Sequence, residues 1–330
     1  MFLRFLAVIG LCCVSGCGNF AARRILQAPN TYPAWLAPKA PVELDFSEKL
    51  LTAFTNRYLK IADPAATIRY KIVPPADYQF RWTNQVPEAG RIMNLSFSAT
   101  ISAESDRTNR WTAEPRGTVF LLHGYGVAGF AMLPWAFILA QDGWRCVLVD
   151  LRGHGKSTGK QIYLGMQEVT DLRALLDQIQ MDEGSTGPVE VVGHSFGAVL
   201  ALRWKMTDPR IDRVVAMSPY ADFGNAVLNV SDEYAPWIPK CFLRAGLRRI
   251  PQRLGADPCQ LNPGCWLKPT EALFIAGELD KIAPVNSVQT LEKIGGANSK
   301  FLVVPRAAHE PLPFFLDDLA GPVTQWLDER

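Results

Sequence analysis

Apolar positions along the chain follow two rhythms, and the change falls near residue 117. Before it, residues 68–73, 78–82 and 92–101 alternate apolar with polar and are separated by the turn-like breaks Pro74-Pro75 and Glu88-Ala89-Gly90. A period of two belongs to half-buried strands, so these segments are expected to form an antiparallel edge. Apolar spacing over 46–59 suits a short helix. After residue 117, short apolar runs alternate with longer amphipathic stretches. Strands are predicted at 118–122, 146–149, 189–192, 214–217, 272–276 and 301–304. Helices are predicted at 132–141, 166–180, 196–205, 288–294 and 316–327; Val169, Leu172, Leu176 and Ile179 mark the buried stripe of the second. This alternation predicts an α/β fold with a mostly parallel central sheet and helices on both faces. It lapses over 221–268, where Pro236, Pro239, Pro251, Pro258 and Pro263, several aromatics and three cysteines suggest a helical cap insertion over the carboxyl edge of the sheet.

The first residues have another character. One charge, Arg4, precedes an apolar run over 5–14, too short to span a bilayer and laid out like a secretory signal. The run ends in Val14-Ser15-Gly16-Cys17, which resembles the lipobox of bacterial lipoprotein precursors. That resemblance implies a signal peptide over 1–16 and lipidation of Cys17. It implies a bacterial envelope protein anchored to a membrane, on the periplasmic side of the outer one where there are two. A plain signal peptide cut nearby is the alternative. Residues 17–45, with Pro29, Pro33, Pro38 and Pro41, are expected to be a tether leading to a domain over 46–330.

The chain has 330 residues, 48% hydrophobic and 20% charged, enough for a sizeable core. A net charge of +2 supplies no global field for nucleic acid. The four histidines show no metal-ligand spacing, so no metal site is expected. Cys17, Cys146, Cys241, Cys259 and Cys265 survive the expected processing. In an oxidising compartment Cys259 and Cys265, flanking the turn Asn262-Pro263-Gly264, are expected to form a disulfide, with Cys241 as competitor for either. Cys146, in a buried strand, is expected to remain a thiol.

Gly193-His194-Ser195-Phe196-Gly197 lies between a predicted strand and a predicted helix, the setting of a nucleophile elbow. A strand turning straight into a helix strains the serine backbone, and flanking glycines remove the clash. In such an arrangement the acid and the histidine follow the serine. His309 is the only histidine after Ser195 and is the expected base. Asp280, in Gly277-Glu278-Leu279-Asp280 past a strand end, is the expected acid, with Asp222 as rival. The backbone N–H groups of Phe196 and of Tyr125, in His123-Gly124-Tyr125-Gly126, are the expected oxyanion donors.

With these motifs in order, and with Asp150-Leu151-Arg152-Gly153-His154-Gly155-Lys156-Ser157 between them, the chain from about residue 116 resembles α/β-hydrolases of the monoacylglycerol-lipase and serine-aminopeptidase group. The resemblance implies the α/β-hydrolase fold, cofactor-free hydrolysis through an acyl-serine, and a small-molecule ester, lipid or peptide substrate. Peptidase or acyltransferase activity on the same triad is the near alternative. The 152–157 loop is read as structural. Two readings from other classes compete. Gly124-Tyr125-Gly126-Val127-Ala128-Gly129 with Asp150 downstream also fits a dinucleotide-binding oxidoreductase. A non-catalytic, tethered binding module on the same scaffold is the other. In the cap, Tyr220, Phe223, Tyr234, Trp237, Phe242 and Trp266 either wall an acyl site or form cap core, and Lys240, Arg244 and Arg248 share one helix face.

Overall fold

The computed structural model describes residues 16–32, 42–46, 54–85, 93–101 and 114–329. The apolar run at 5–14 and the stretch 33–41 of the expected tether lie outside them, while the tether's last residues, 42–45, fall in a strand. Helix α1 spans Gly16–Ile25. Strands β1 (Val42–Phe46), β2 (Arg57–Ile61), β3 (Ala66–Val73), β4 (Tyr78–Gln85) and β5 (Met93–Ile101) follow, then β6 (Thr118–Leu122), helix α2 (Leu133–Gln141) and β7 (Arg145–Val149). Next come α3 (Met166–Glu183), β8 (Val189–His194), α4 (Phe196–Thr207) and β9 (Ile211–Met217). The insertion holds α5 (Phe223–Tyr234), α6 (Lys240–Leu247), α7 (Ile250–Leu254) and α8 (Pro263–Trp266). The chain closes with β10 (Ala272–Gly277), α9 (Val285–Gly295), β11 (Lys300–Val304) and α10 (Leu316–Asp328).

Eight strands form the central sheet in the order β11-β10-β9-β8-β6-β7-β3-β2. From β11 to β7 every pairing is parallel; β3 runs antiparallel to β7, and β2 to β3. Because side chains alternate across a strand, the continuous apolar runs serve two cores. Phe120, Leu122, Val191, Val214 and Phe274 face the layer of α3, α4 and α9, with Leu172, Trp204 and Leu291. Val119, Leu121, Val192, Val215 and Ile275 face α2 and α10, with Trp135, Phe137, Val323 and Trp326.

Two expectations about the first third are corrected. The helix expected over 46–59 fails at both ends: Phe46 ends β1, and Arg57–Ile61 alternates half-buried with exposed residues as it pairs with β3; residues 47–53 lie outside the described residues. The antiparallel edge is also divided. β2 and β3 extend the central sheet, whereas β4 and β5 join β1 in a separate three-stranded sheet, β1 parallel to β5. This small sheet covers α2 through rings: Tyr78 meets Phe137 edge-on at 4.9 Å, and Phe97 lies 5.8 Å from it.

A third correction concerns the expected tether. Residues 16–32 are docked. Ala21, Ala22, Leu26 and Ala28 are fully buried. Ala28 N–H donates to Lys160 O (3.2 Å), Asn30 N–H to Gly153 O (3.0 Å), and Ile162 N–H to Leu26 O (2.8 Å). Small side chains permit this approach: a Cβ on Gly153 would stand 2.5 Å from that of Ala28.

Candidate active site

The elbow is built from the end of β8 and the start of α4. Ser195 adopts φ 52° and ψ −115°, a strained backbone that places it between the two elements. The flanking glycines have steric causes. A Cβ on Gly197 would sit 2.3 Å from the Leu122 carbonyl oxygen, and one on Gly193 would sit 2.3 Å from that of Gly197. As the first residue of α4, Phe196 has an N–H with no acceptor one turn back inside the helix. The 123–126 loop abuts this turn: a Cβ on Gly124 would be 3.4 Å from that of Ser195.

Three expected residues meet here. Ser195 Oγ–H donates to His309 Nε2 at 2.7 Å, and His309 Nδ1–H donates to Asp280 Oδ2 at 2.7 Å. His309 follows β11 and Asp280 follows β10, adjacent strands whose loops are laced together; Leu279 N–H donates to Ala307 O (2.9 Å). Asp280 and His309 are buried, Ser195 half-buried. Burial alone lowers the His309 pKa, but the Asp280 charge and hydrogen bond outweigh it and hold the imidazole above its ordinary 6.5. Burial likewise raises Asp280, and His309, Ser218 and Ala283 outweigh that, leaving the carboxyl below 3.8. The rival acid, Asp222, is engaged elsewhere: it caps α5, accepting Asn225 N–H at 2.7 Å.

Sequence reasoning missed Ser218. It follows β9 with φ 50° and is fully buried, and its Oγ–H donates to Asp280 Oδ2 at 2.6 Å. Ile282 and Ala283 N–H both donate to Oδ1 at 2.8 Å, so the acid has four donors. His194 adds a further brace: its Nε2–H donates to the His309 carbonyl at 2.9 Å, and burial next to His309 depresses its pKa to about 3, keeping it neutral. Also unforeseen is the contact from the first residues. The Tyr125 hydroxyl donates to Gln27 O (3.2 Å) and meets the Tyr32 hydroxyl at 3.3 Å.

Asp150 belongs to the scaffold. It is buried, accepts Gly129 N–H (2.8 Å) and Lys156 N–H (2.9 Å), and pairs with Arg69 at 3.2 Å. A ribose hydroxyl would have to displace those partners, which removes the main support for dinucleotide binding. Arg152 is likewise structural, forked onto Asp171 with two 2.7 Å bonds. The cap aromatics divide: Tyr220 is buried against Phe223 at 6.1 Å, Phe242 faces Phe20 of α1, Arg203 stacks on Trp266, and Trp237 is exposed. Tyr234 lies beside the site, where burial and a hydrogen bond to Glu310 push its phenol up. Cys259 and Cys265 do not form the expected disulfide; both are exposed free thiols, close enough that a mutual hydrogen bond raises the Cys259 pKa. Cys241 is free and exposed, and Cys146 is a buried free thiol. Cys17 is half-buried in the first turn of α1. Among the described residues no His, Cys, Asp and Glu cluster could hold a metal, and no helix is long and apolar enough to cross a membrane.

A model of the family described as serine aminopeptidase, S33, matches residues 113–263. The esterase Pf2001 of Pyrococcus furiosus superposes with a TM-score of 0.58 at 19% identity, over 87% of this chain and 97% of that one. The chain has the α/β-hydrolase fold. Among curated proteins, the monoacylglycerol lipase of Mycolicibacterium smegmatis is 30% identical over 39% of this chain and 50% of its own. YqkD of Bacillus subtilis, an uncharacterized protein, is 26% identical over 56% of this chain and 62% of its own. These matches span less than two thirds of either relative's length. Within the α/β-hydrolase fold, the insertion between β9 and β10 places α5 beside the loops that carry Asp280 and His309: Asn229 Nδ2–H donates to Ile282 O at 3.1 Å, and Tyr234 hydrogen-bonds to Glu310.

Proposed function

We propose that the chain is a serine hydrolase that cleaves carboxylic esters through a covalent acyl-Ser195. The observation that carries this reading is the unbroken chain from Ser195 through His309 to Asp280, each link 2.7 Å, on a strained elbow. His309 Nε2 takes the hydroxyl proton as Oγ attacks the carbonyl carbon. The N–H groups of Tyr125 and Phe196 stabilise the resulting oxyanion. The C–O bond to the leaving alcohol breaks as His309 returns the proton to it. Water then loses a proton to His309, attacks the acyl carbon, and releases the acid and the serine hydroxyl. Asp280 holds the tautomer with its proton on Nδ1 and stabilises the imidazolium form.

Esters are favoured over peptides by the names of the relatives, an esterase and a monoacylglycerol lipase, while the family description names an aminopeptidase. Acyl transfer to a second alcohol is the remaining variant of the same chemistry. A panel of p-nitrophenyl esters of increasing chain length beside aminoacyl arylamides separates these readings. Faster turnover of the esters is expected; faster turnover of the arylamides would replace the esterase reading with a peptidase.

We infer further that Cys17 is lipidated and holds the enzyme to a bacterial membrane. The lipobox-like Val14-Ser15-Gly16-Cys17 supports this. Palmitate labelling in a bacterial host tests it: label on the wild type and none on Cys17→Ser is expected, and a mature N-terminus elsewhere would overturn it.

A further inference from the structure

Folding brings α1 onto the cap and so joins two features that are far apart in sequence. The helices cross at small residues: a Cβ on Gly18 would meet the Ala245 carbonyl oxygen at 3.0 Å, and one on Gly246 would meet the Ala21 Cβ at 2.7 Å. The Phe20 ring lies 6.3 Å from that of Phe242 on α6. Residues 16–25 and 238–254 contain Arg and Lys but no Asp or Glu. Of these, Arg23, Lys240, Arg244, Arg248 and Arg253 are exposed. Lys240 has one acidic neighbour, Asp232 at 2.8 Å, from α5. Two aromatics stand out from the same elements: Phe20 is 59% exposed, and Trp237, just before α6, is 77% exposed. Cys17 opens α1, and the apolar run 5–14 precedes it by only two residues.

We propose that this face of the cap docks on an anionic lipid surface. Exposed cations without carboxylates among them are attracted to acidic head groups, and large aromatic rings partition into the interfacial layer. The occupant follows from charge complementarity and from where the chain enters. Lipid on Cys17 would emerge at the edge of this face, so the orienting part of the proposal rests on the lipidation reading. A tether over 17–45 would reach roughly 90 Å at about 3.3 Å per residue; with residues 16–25 packed on α6, the anchor instead holds the cap against the head groups. From there α1 leads directly into residues 27–32, which contact Tyr125. The enzyme is therefore oriented at the surface where a lipid ester would reside.

The test uses the full chain carrying Cys17→Ser, so that the face is measured without lipid on it. Vesicles of phosphatidylcholine alone are compared with vesicles also containing phosphatidylglycerol, by sedimentation at low and high salt. Binding to the anionic vesicles only, weakened by salt, is expected. Each exposed cation removed should weaken partition about fivefold, so Arg244→Gln with Arg248→Gln should weaken it about 25-fold. Trp237→Ala should also weaken it. Undiminished hydrolysis of a water-soluble ester by these variants shows that they are folded. Equal binding to neutral vesicles, no binding to anionic ones, or wild-type binding by the double variant would overturn the proposal. So would duplex DNA binding as tight as vesicle binding and lost in the same variant, which marks a general cation patch. Palmitate labelling of the wild type is read separately. Its absence with vesicle binding retained removes the anchor and leaves the docking face standing.

Discussion

Asp280 and Glu190 both lie on the central sheet with their side chains out of water, Asp280 just past β10 and Glu190 at the second position of β8. Burial pushes both carboxyls toward the neutral form. At Asp280 four donors, the His309 imidazole among them, reverse that push. At Glu190 burial prevails, reinforced by Asp212 and only partly offset by Arg213 and Lys205; its pKa rises to about 7 and Oε2 has no hydrogen-bond partner. The contrast teaches that burial does not decide the charge of a carboxyl in this fold. The supply of donors does, and the loops after β9 and β10 supply them at one end of the sheet only.

The largest expected effect comes from Asp280→Asn. It should lower kcat by about ten-thousandfold, because the imidazole loses its counter-charge and its tautomer. A near-native rate, with the loss appearing in Asp222→Asn instead, would move the acid to Asp222. The pH profile of the residual activity sharpens the test. In the wild type the acid limb of kcat/KM should lie above the ordinary histidine value near 6.5, since His309 must be neutral to accept the proton. Without Asp280 burial is opposed only by the weaker charge of Glu310, and the limb should move down.

Glu190→Gln should act on stability alone. The folded pKa is raised from 4.5 to about 7, so the folded state holds the extra proton. The stability this group contributes is fully present below pH 4.5 and is lost as pH rises through 7. Glutamine stays neutral, so the variant's advantage should grow from pH 5 to 8 and reach at most about 3 kcal/mol. Urea unfolding at the two pH values measures it. An advantage that does not change with pH would mean that Glu190 is charged throughout. Turnover should be unchanged.

Ser218→Ala removes one of the four donors to Asp280. A roughly tenfold loss in kcat with little change in KM is expected, from the typical worth of one hydrogen bond to a charged group. Ser218→Thr, which keeps the hydroxyl, should restore part of it. A change in KM alone would place Ser218 among substrate contacts instead.

The same contrast explains what could be read from sequence. The elbow and the proposed base and acid fall at strand ends whose apolar runs are unmistakable; 118–122 matches β6 residue for residue, and 189–192 falls within β8. Ser218 carries no local signature, because its role depends on an acid 62 positions later. At 57–59 the helix-like apolar spacing misled, because pairing with β3 makes 57–61 a strand. The segment 17–32 misled in a different way. Its alanines and prolines look like a linker, yet Ala21 and Ala28 are small so that they can meet Gly246 and Gly153. The Cys259–Cys265 pairing rested on a turn that brings the residues together but leaves the thiols unjoined.

Acylation of Ser195 with His309 as its base is read out by trapping the acyl-enzyme. The purified protein is mixed with a p-nitrophenyl ester, quenched in acid, and examined by intact mass and peptide mapping. A burst of p-nitrophenol close to one equivalent is expected. An added acyl mass is expected on the peptide containing Ser195, lost in Ser195→Ala and greatly slowed in His309→Ala. Turnover that persists in Ser195→Ala, or an acyl group on any other residue at the same rate, would contradict acylation at Ser195.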